Sequence, residues 1–172
     1  MGNPTSDAFR LPLSRAFRAA LAILLLTSVH HAYGACIYHT PWRLHVALVA
    51  ALTALMLWSA VFVARNRPEG LASAIATVAF CLVDALIPVI GIGFFEGGYN
   101  HVLKNALYFA DASPMLMTRL FPPPAYELPN DVLFEASGVM QFVVGMVAGY
   151  QLYGFIRQGW GACDGVPTGP AG

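Results

Sequence analysis

Four stretches of the chain are apolar over a length that matters to a bilayer, which takes about 20 residues of helix to cross. The first runs from Leu11 to Tyr33, interrupted by Arg15 and Arg18 and densest in AALAILLLTSV. The second, Leu44 to Ala64, holds nothing more polar after His45 than Thr53, Trp58 and Ser59. The third, Leu71 to Phe95, carries Asp84 near its midpoint, and the fourth runs from Val132 to Ile156. This pattern predicts an all-α integral membrane protein, a bundle of four transmembrane helices forming one membrane domain over 1–172. Thr40 and Pro41 suit the start of the second helix, and Asn130 the cap of the fourth, where Asp131 favours the positive end of the dipole. Between the last two spans, residues 97–129 read as an extracytoplasmic capping loop. VLKNALYFA is too short to cross and predicts a short surface helix, and PPPAYELP is a breaker. Residues 157–172 form a tail.

Composition agrees. The chain is 58% hydrophobic and 10% charged, against about 25% charged for a soluble domain. Nine Lys plus Arg balance nine Asp plus Glu, so no electrostatic field recruits nucleic acid, and the expected partners are the lipid bilayer and a homo-oligomer or larger membrane complex. Cys36, Cys81 and Cys163 form no CxxC pair, which disfavours a thiol oxidoreductase, and the absence of a P-loop disfavours a primary pump. Arg10, Arg15, Arg18, Arg65, Arg67 and Arg157 fall on one side, against Arg43, Lys104 and Arg119 on the other. That predicts a multi-pass protein of a bacterial inner membrane with both termini cytoplasmic. The first stretch also reads as a secretory signal ending in AYGA; its removal would leave three spans in the same orientation.

This topology gathers all five histidines, His30, His31, His39, His45 and His101, at the extracytoplasmic face, together with Glu96, Asp111, Glu127, Asp131 and Glu135. Imidazole with carboxylate suits zinc, copper or non-haem iron. The candidate metal ligands are His30, His31, His101, Glu96 and Glu135, and His45, Asn100 and Asp131 are candidate ligand-binding residues. A hydrogen-bonded polar cap and a lipid-headgroup or quinone pocket are the competing readings, since no HxxxH or HExxH string is present. His30 and His31 are adjacent and point about 100° apart on a helix, so one is expected to serve the bundle and the other the interface. If helix resumes after Gly97 and Gly98, α pitch makes Asn100 a neighbour of Lys104, and His101 of Asn105. Met115 and Met117 offer sulfur for Cu(I), but apolar anchoring of their loop is the preferred reading.

On the fourth helix Asp131, Glu135, Gly138, Gly145 and Gly149 share one stripe, a small-residue seam that turns Glu135 toward the bundle. Gly91, Gly93, Gly97 and Gly98 around Glu96 predict close packing and a sharp change of chain direction. Asp84 is an intramembrane acid costing about 2.5 to 3.5 kcal/mol on insertion scales. Pro88 deprives its carbonyl of the usual donor. Either Asp84 handles protons or cations, or it bonds to a polar neighbour such as Ser59, Trp58 or Gln141. At about 18 Å along the helix from Glu96, it stands apart from the outer cluster.

The leading functional expectation is a small membrane binding or accessory protein whose outer His/carboxylate pocket holds a metal ion or polar ligand. The alternatives are a metal-dependent oxidoreductase or hydrolase using the same pocket, and a proton- or ion-coupled carrier centred on Asp84.

Overall fold

The computed structural model describes the backbone of residues 4–67, 70–123 and 127–161. Cys163 and most of the expected tail lie outside the described residues. The elements are α1 (Pro4–Ile37), a 3-10 turn (Pro41–Arg43), α2 (Leu44–Asn66), α3 (Leu71–Asp84), a π-helix (Ala85–Leu103), α4 (Lys104–Phe109), α5 (Pro114–Leu120) and α6 (Val132–Gly161). Four helical stretches are long and apolar enough to cross a membrane: Phe9–Ile37, Pro41–Asn66, Leu71–Phe109 and Val132–Gln158. No strand occurs among the described residues.

The bundle is an all-α membrane fold with its polar groups turned inward. Leu48, Leu52, Leu55 and Phe62 of α2, and Ile75, Val78, Leu82, Leu86 and Ile90 of the third span, are exposed, the outward apolar belt that lipid as solvent allows. Thr27, His30, Thr53, Asp84, Gln141 and His101 are buried. A core of Leu13, Ile23, Leu57, Phe80, Ile92 and Phe155 ties the four spans together. The rings of Phe9 and Phe155, centroids 5.5 Å apart, show that the chain enters and leaves on the same side. On that side Arg65 Nη2 donates to Ser14 Oγ at 3.0 Å, linking α1 to α2.

The seam between α6 and the third span is built on glycine. A Cβ added to Gly93 would lie 2.8 Å from the Gly145 Cα, and one added to Gly97 would meet the Phe142 backbone. No side chain fits there, which is the close approach expected of small residues in membrane helices.

The glycines permit this approach but not the expected turn. The chain passes Gly97 and Gly98 without a break, so VLKNALYFA extends the third span, and the short helix of the capping segment is α5 instead. Breaking the helix at this depth would leave backbone groups unpaired, and the i to i+5 register keeps them bonded. Lys104 N–H, at the end of the π-helix, still reaches the Tyr99 carbonyl five residues back. The third span stops only after Phe109, where Asp111 adopts φ 54° and Ala112 N–H bonds Leu107 O at 3.0 Å. His39 closes α1 in the same way, with φ 53° and a Thr40 N–H to Ala35 O bond of 3.1 Å, and so serves as a helix terminator.

Two expected caps are reassigned. Asp131 Oδ1 accepts from Phe134 N–H at 2.8 Å and is the cap of α6, while Asn130 Oδ1 accepts from the Tyr38 hydroxyl at 2.6 Å. Thr40 makes no side-chain cap; its hydroxyl receives Arg43 Nε at 2.8 Å. In α5, Ser113 is the cap, Met117 is buried and Met115 is exposed, so the segment is anchored by an apolar side chain. Tyr99 Oη donates to Leu120 O at 2.8 Å and fastens α5 to the π-helix.

Candidate metal centre

Three imidazoles and one carboxylate meet at the end of the bundle away from the termini. Glu96 Oε1 lies 3.5 Å from His31 Nε2, 3.7 Å from His101 Nε2 and 3.9 Å from His30 Nε2. Ligand atoms of His30, Glu96 and His101 all fall within 4.8 Å of one another. An ion held tetrahedrally at 2.1 Å spaces its ligands about 3.4 Å apart, so this spacing suits donors around one ion. Contrary to the expectation for adjacent residues, His30 and His31 both reach the same oxygen. Their rings stand at 90° with centroids 5.1 Å apart, and Glu96 receives both from the neighbouring helix.

Glu96 and His101 share a face because of the π-helix. On α pitch, residues five apart point about 140° away from each other. When five residues close each hydrogen-bonded turn they come nearly into line. The same winding lets Asn100 Nδ2 donate to Glu96 Oε2 at 2.7 Å, orienting the carboxylate. The α-pitch pairing of His101 with Asn105 is therefore replaced by His101 with Glu96.

The outer partners fix the tautomers. Ser137 Oγ donates its only hydrogen to Phe134 O at 2.9 Å, so it accepts from His30 Nδ1 at 2.9 Å, and His30 Nε2 is left with a lone pair. Glu135 Oε2 accepts from His101 Nδ1 at 2.8 Å, so in the neutral ring the lone pair sits on Nε2, the nitrogen that faces Glu96. Glu135 Oε1 in turn receives Lys104 Nζ at 2.9 Å, and Lys104 also donates to Glu127 O at 2.8 Å. Carboxylate, imidazole and a free Nε2 in sequence are the arrangement that orients histidine toward a metal. His30 Nε2 and His31 Nδ1 are buried without a hydrogen-bond partner. Gly138 makes room for the group, because a Cβ there would overlap the His101 ring.

The remaining sequence candidates separate by position. Glu135 stands behind His101 and not beside Glu96. His45 is exposed, with Nδ1 paired to the Trp42 carbonyl, and lines the same cavity as Asn100, Glu96 and His101. Asp131 caps α6 and accepts from Tyr33 Oη at 3.2 Å, outside that cavity. The Tyr38 hydroxyl beside it is pushed up to about 12, first by burial and then by the charges of Glu135 and Asp131, and so stays a donor. Asp84 is fully buried with neither carboxyl oxygen bonded. Ser59 is occupied with Leu55 O, and Trp58 is exposed.

Sequence reasoning missed Ser137 and Lys104 as parts of the site, and the burial of Arg43 beside it. Lys104 had signalled itself only as a topology charge and an α-helical neighbour of Asn100, and Arg43 only as a topology charge. Nothing in the local sequence marks Ser137 except its place one helical turn below Phe134. No protein-family model, curated protein or solved structure matches the chain, and the functional reading rests on this geometry.

Proposed function

We propose that the protein is a small membrane metal-binding protein that holds a divalent first-row ion between His30, His31, His101 and Glu96 at its extracytoplasmic face. The observation that carries this reading is the convergence of His30 Nε2 and His101 Nε2 on Glu96 while both Nδ1 atoms are already engaged, by Ser137 and by Glu135. His30, with its Nδ1 hydrogen committed to Ser137, has none to place between Nε2 and Glu96, and His101 in its neutral form likewise turns a lone pair there; a cation supplies what these lone pairs lack. Imidazole with carboxylate suits zinc, iron or copper. Glu135, Ser137 and Lys104 act behind the ligands by fixing their orientation. The cavity that touches Glu96 and His101 favours, as a second reading, a metal-dependent enzyme on the same centre, since it gives an outside molecule access to the ligands.

The test is metal analysis of protein purified in detergent from metal-replete cells, with zinc, iron and copper titrated into the chelated form. One ion per chain is expected, lost in His30→Ala and His101→Ala variants that keep the helical circular-dichroism spectrum. A wild-type protein that folds yet neither carries nor takes up any of the three ions would overturn the reading.

A further inference from the structure

Among the described residues, no anion pairs with the cation beside the metal centre. Arg43 is 5% exposed, and none of the ion pairs among the described residues includes it. Its Nε is spent on Thr40, but its Nη2 is buried with no partner. The guanidinium is held by ring faces, 5.2 Å from the Trp42 centroid, 5.3 Å from Tyr38 and 5.4 Å from Phe134. Cation–π contacts offset part of the desolvation of an arginine and leave its N–H fork unsatisfied. A buried charge in this state is costly unless something pairs with it.

The place for a partner is next to it. A cavity of about 230 Å³ is lined by Arg43, Trp42 and Phe95 together with His31, Glu96 and His101 of the metal centre. Trp42 and Phe95 are half exposed at the outer surface of the bundle, so the mouth lies where a lipid headgroup or a solute from the water reaches it. Charge selects the occupant. Lys104 is neutralised by Glu135 at 2.9 Å, which leaves the metal's two positive charges and that of Arg43 against Glu96 and Glu127, which also lines the cavity. The surplus of about one positive charge favours an anion, and a phosphate group offers the paired oxygens that fit the arginine fork.

We propose that this cavity binds a phosphate group, with Arg43 as the anchor that holds it against the metal centre. The proposal rests on the metal reading above. The phosphate belongs either to a free solute or to a lipid headgroup, and the chemistry of recognition is the same for both.

Metal content, phosphate binding and thermal melting are measured on the same purified samples, with inorganic phosphate for the solute arm. For the lipid arm, native mass spectrometry compares phosphatidic acid with diacylglycerol, which lacks the phosphate. Wild-type protein should melt at a higher temperature with inorganic phosphate or with phosphatidic acid, and the arm that responds identifies the source. Arg43→Gln should retain its metal, since no hydrogen bond or ion pair joins Arg43 to a ligand residue, and lose phosphate affinity about tenfold or more. Arg43→Lys, which keeps the charge and loses the fork, should fall between the two. Metal-loaded wild type that responds to neither probe overturns the proposal without recourse to any variant. So does an Arg43→Gln protein that binds phosphate as wild type does. A wild type without metal is the failure of the metal reading alone, and Arg43-dependent phosphate binding is then scored on that same metal-free protein.

Discussion

Replacing Gly138 by alanine puts a methyl group where the His101 ring stands. Three atoms of that ring would lie closer to the new Cβ than any real contact. Carbon atoms settle about 3.5 to 4.0 Å apart, so the ring must yield by roughly 1 Å. The His101 ring has little freedom to do so, held at Nδ1 by Glu135 at 2.8 Å and facing Glu96 at 3.7 Å through Nε2. Disturbing an outer partner of a ligating histidine typically costs 10- to 100-fold in metal affinity, about 1.4 to 2.7 kcal/mol. Overpacking costs about 1 to 3 kcal/mol of stability. Gly138→Ala should therefore lower metal affinity 10- to 100-fold in a chelator competition and lower the melting temperature as well. Gly154→Ala is the matched control, because nothing lies within 4 Å of its Cβ position. There the helix gains about 1 kcal/mol from the better propensity, and metal binding stays as it was. A Gly138→Ala protein with wild-type metal affinity and an unchanged melt would show that the His101 position is not what holds the ion.

Ser137→Ala removes the acceptor that sets the His30 tautomer, and the same competition should show a 10- to 100-fold loss of metal affinity with the helical spectrum intact. Asp84→Asn and Asp84→Leu should both fold and bind metal as wild type does, and Asp84→Leu should not lower the melting temperature in detergent, since neither carboxyl oxygen has a partner to leave unpaired. An Asp84→Asn variant that is stable but loses a pH-dependent flux in liposomes would assign the residue to proton movement instead. Reporters fused after Arg67 and after Arg157 should read cytoplasmic, and one inserted at Asp111 should read extracytoplasmic. The opposite pattern would place the histidines in the cytoplasm.

What the sequence revealed and what it hid divide along a physical line. Span number and position follow from hydropathy, because lipid imposes the same requirement on every residue of a crossing helix. The glycine seam was legible for a similar reason, since Gly93, Gly145 and Gly97 report a close approach wherever the neighbour lies. His30, His31, His101, Glu96 and Glu135 could be named together because topology alone brings them to one end of the bundle. Their division of labour could not. Whether Glu135 stands beside Glu96 or behind His101 depends on side-chain distances of about an ångström, below the resolution of helical-wheel reasoning. The fate of VLKNALYFA was misread because Gly97 and Gly98 allow both a turn and a tight contact, and only the Phe142 backbone opposite decides between them. Arg43 was hidden for a simpler reason: an arginine beside a membrane interface is ordinary, and its burial among Tyr38, Trp42 and Phe134 involves two distant segments.

A centre wound on a π-helix also carries its own written signature. On α-helices, ligand pairs stand three or four residues apart, and a scan for such spacings passes over Glu96 and His101, which read E-x-x-x-x-H. The companion signals are the histidine doublet at 30–31 and the string Glu135, Ala136, Ser137, Gly138, in which one residue orients His101, one orients His30 and one makes space. Deleting a single residue between Glu96 and His101 would bring the pair to a spacing that α pitch can serve, while inserting one would carry them past the π register. The two changes look equivalent in an alignment, but only the deletion leaves a conventional helix a way to keep both ligands on one face.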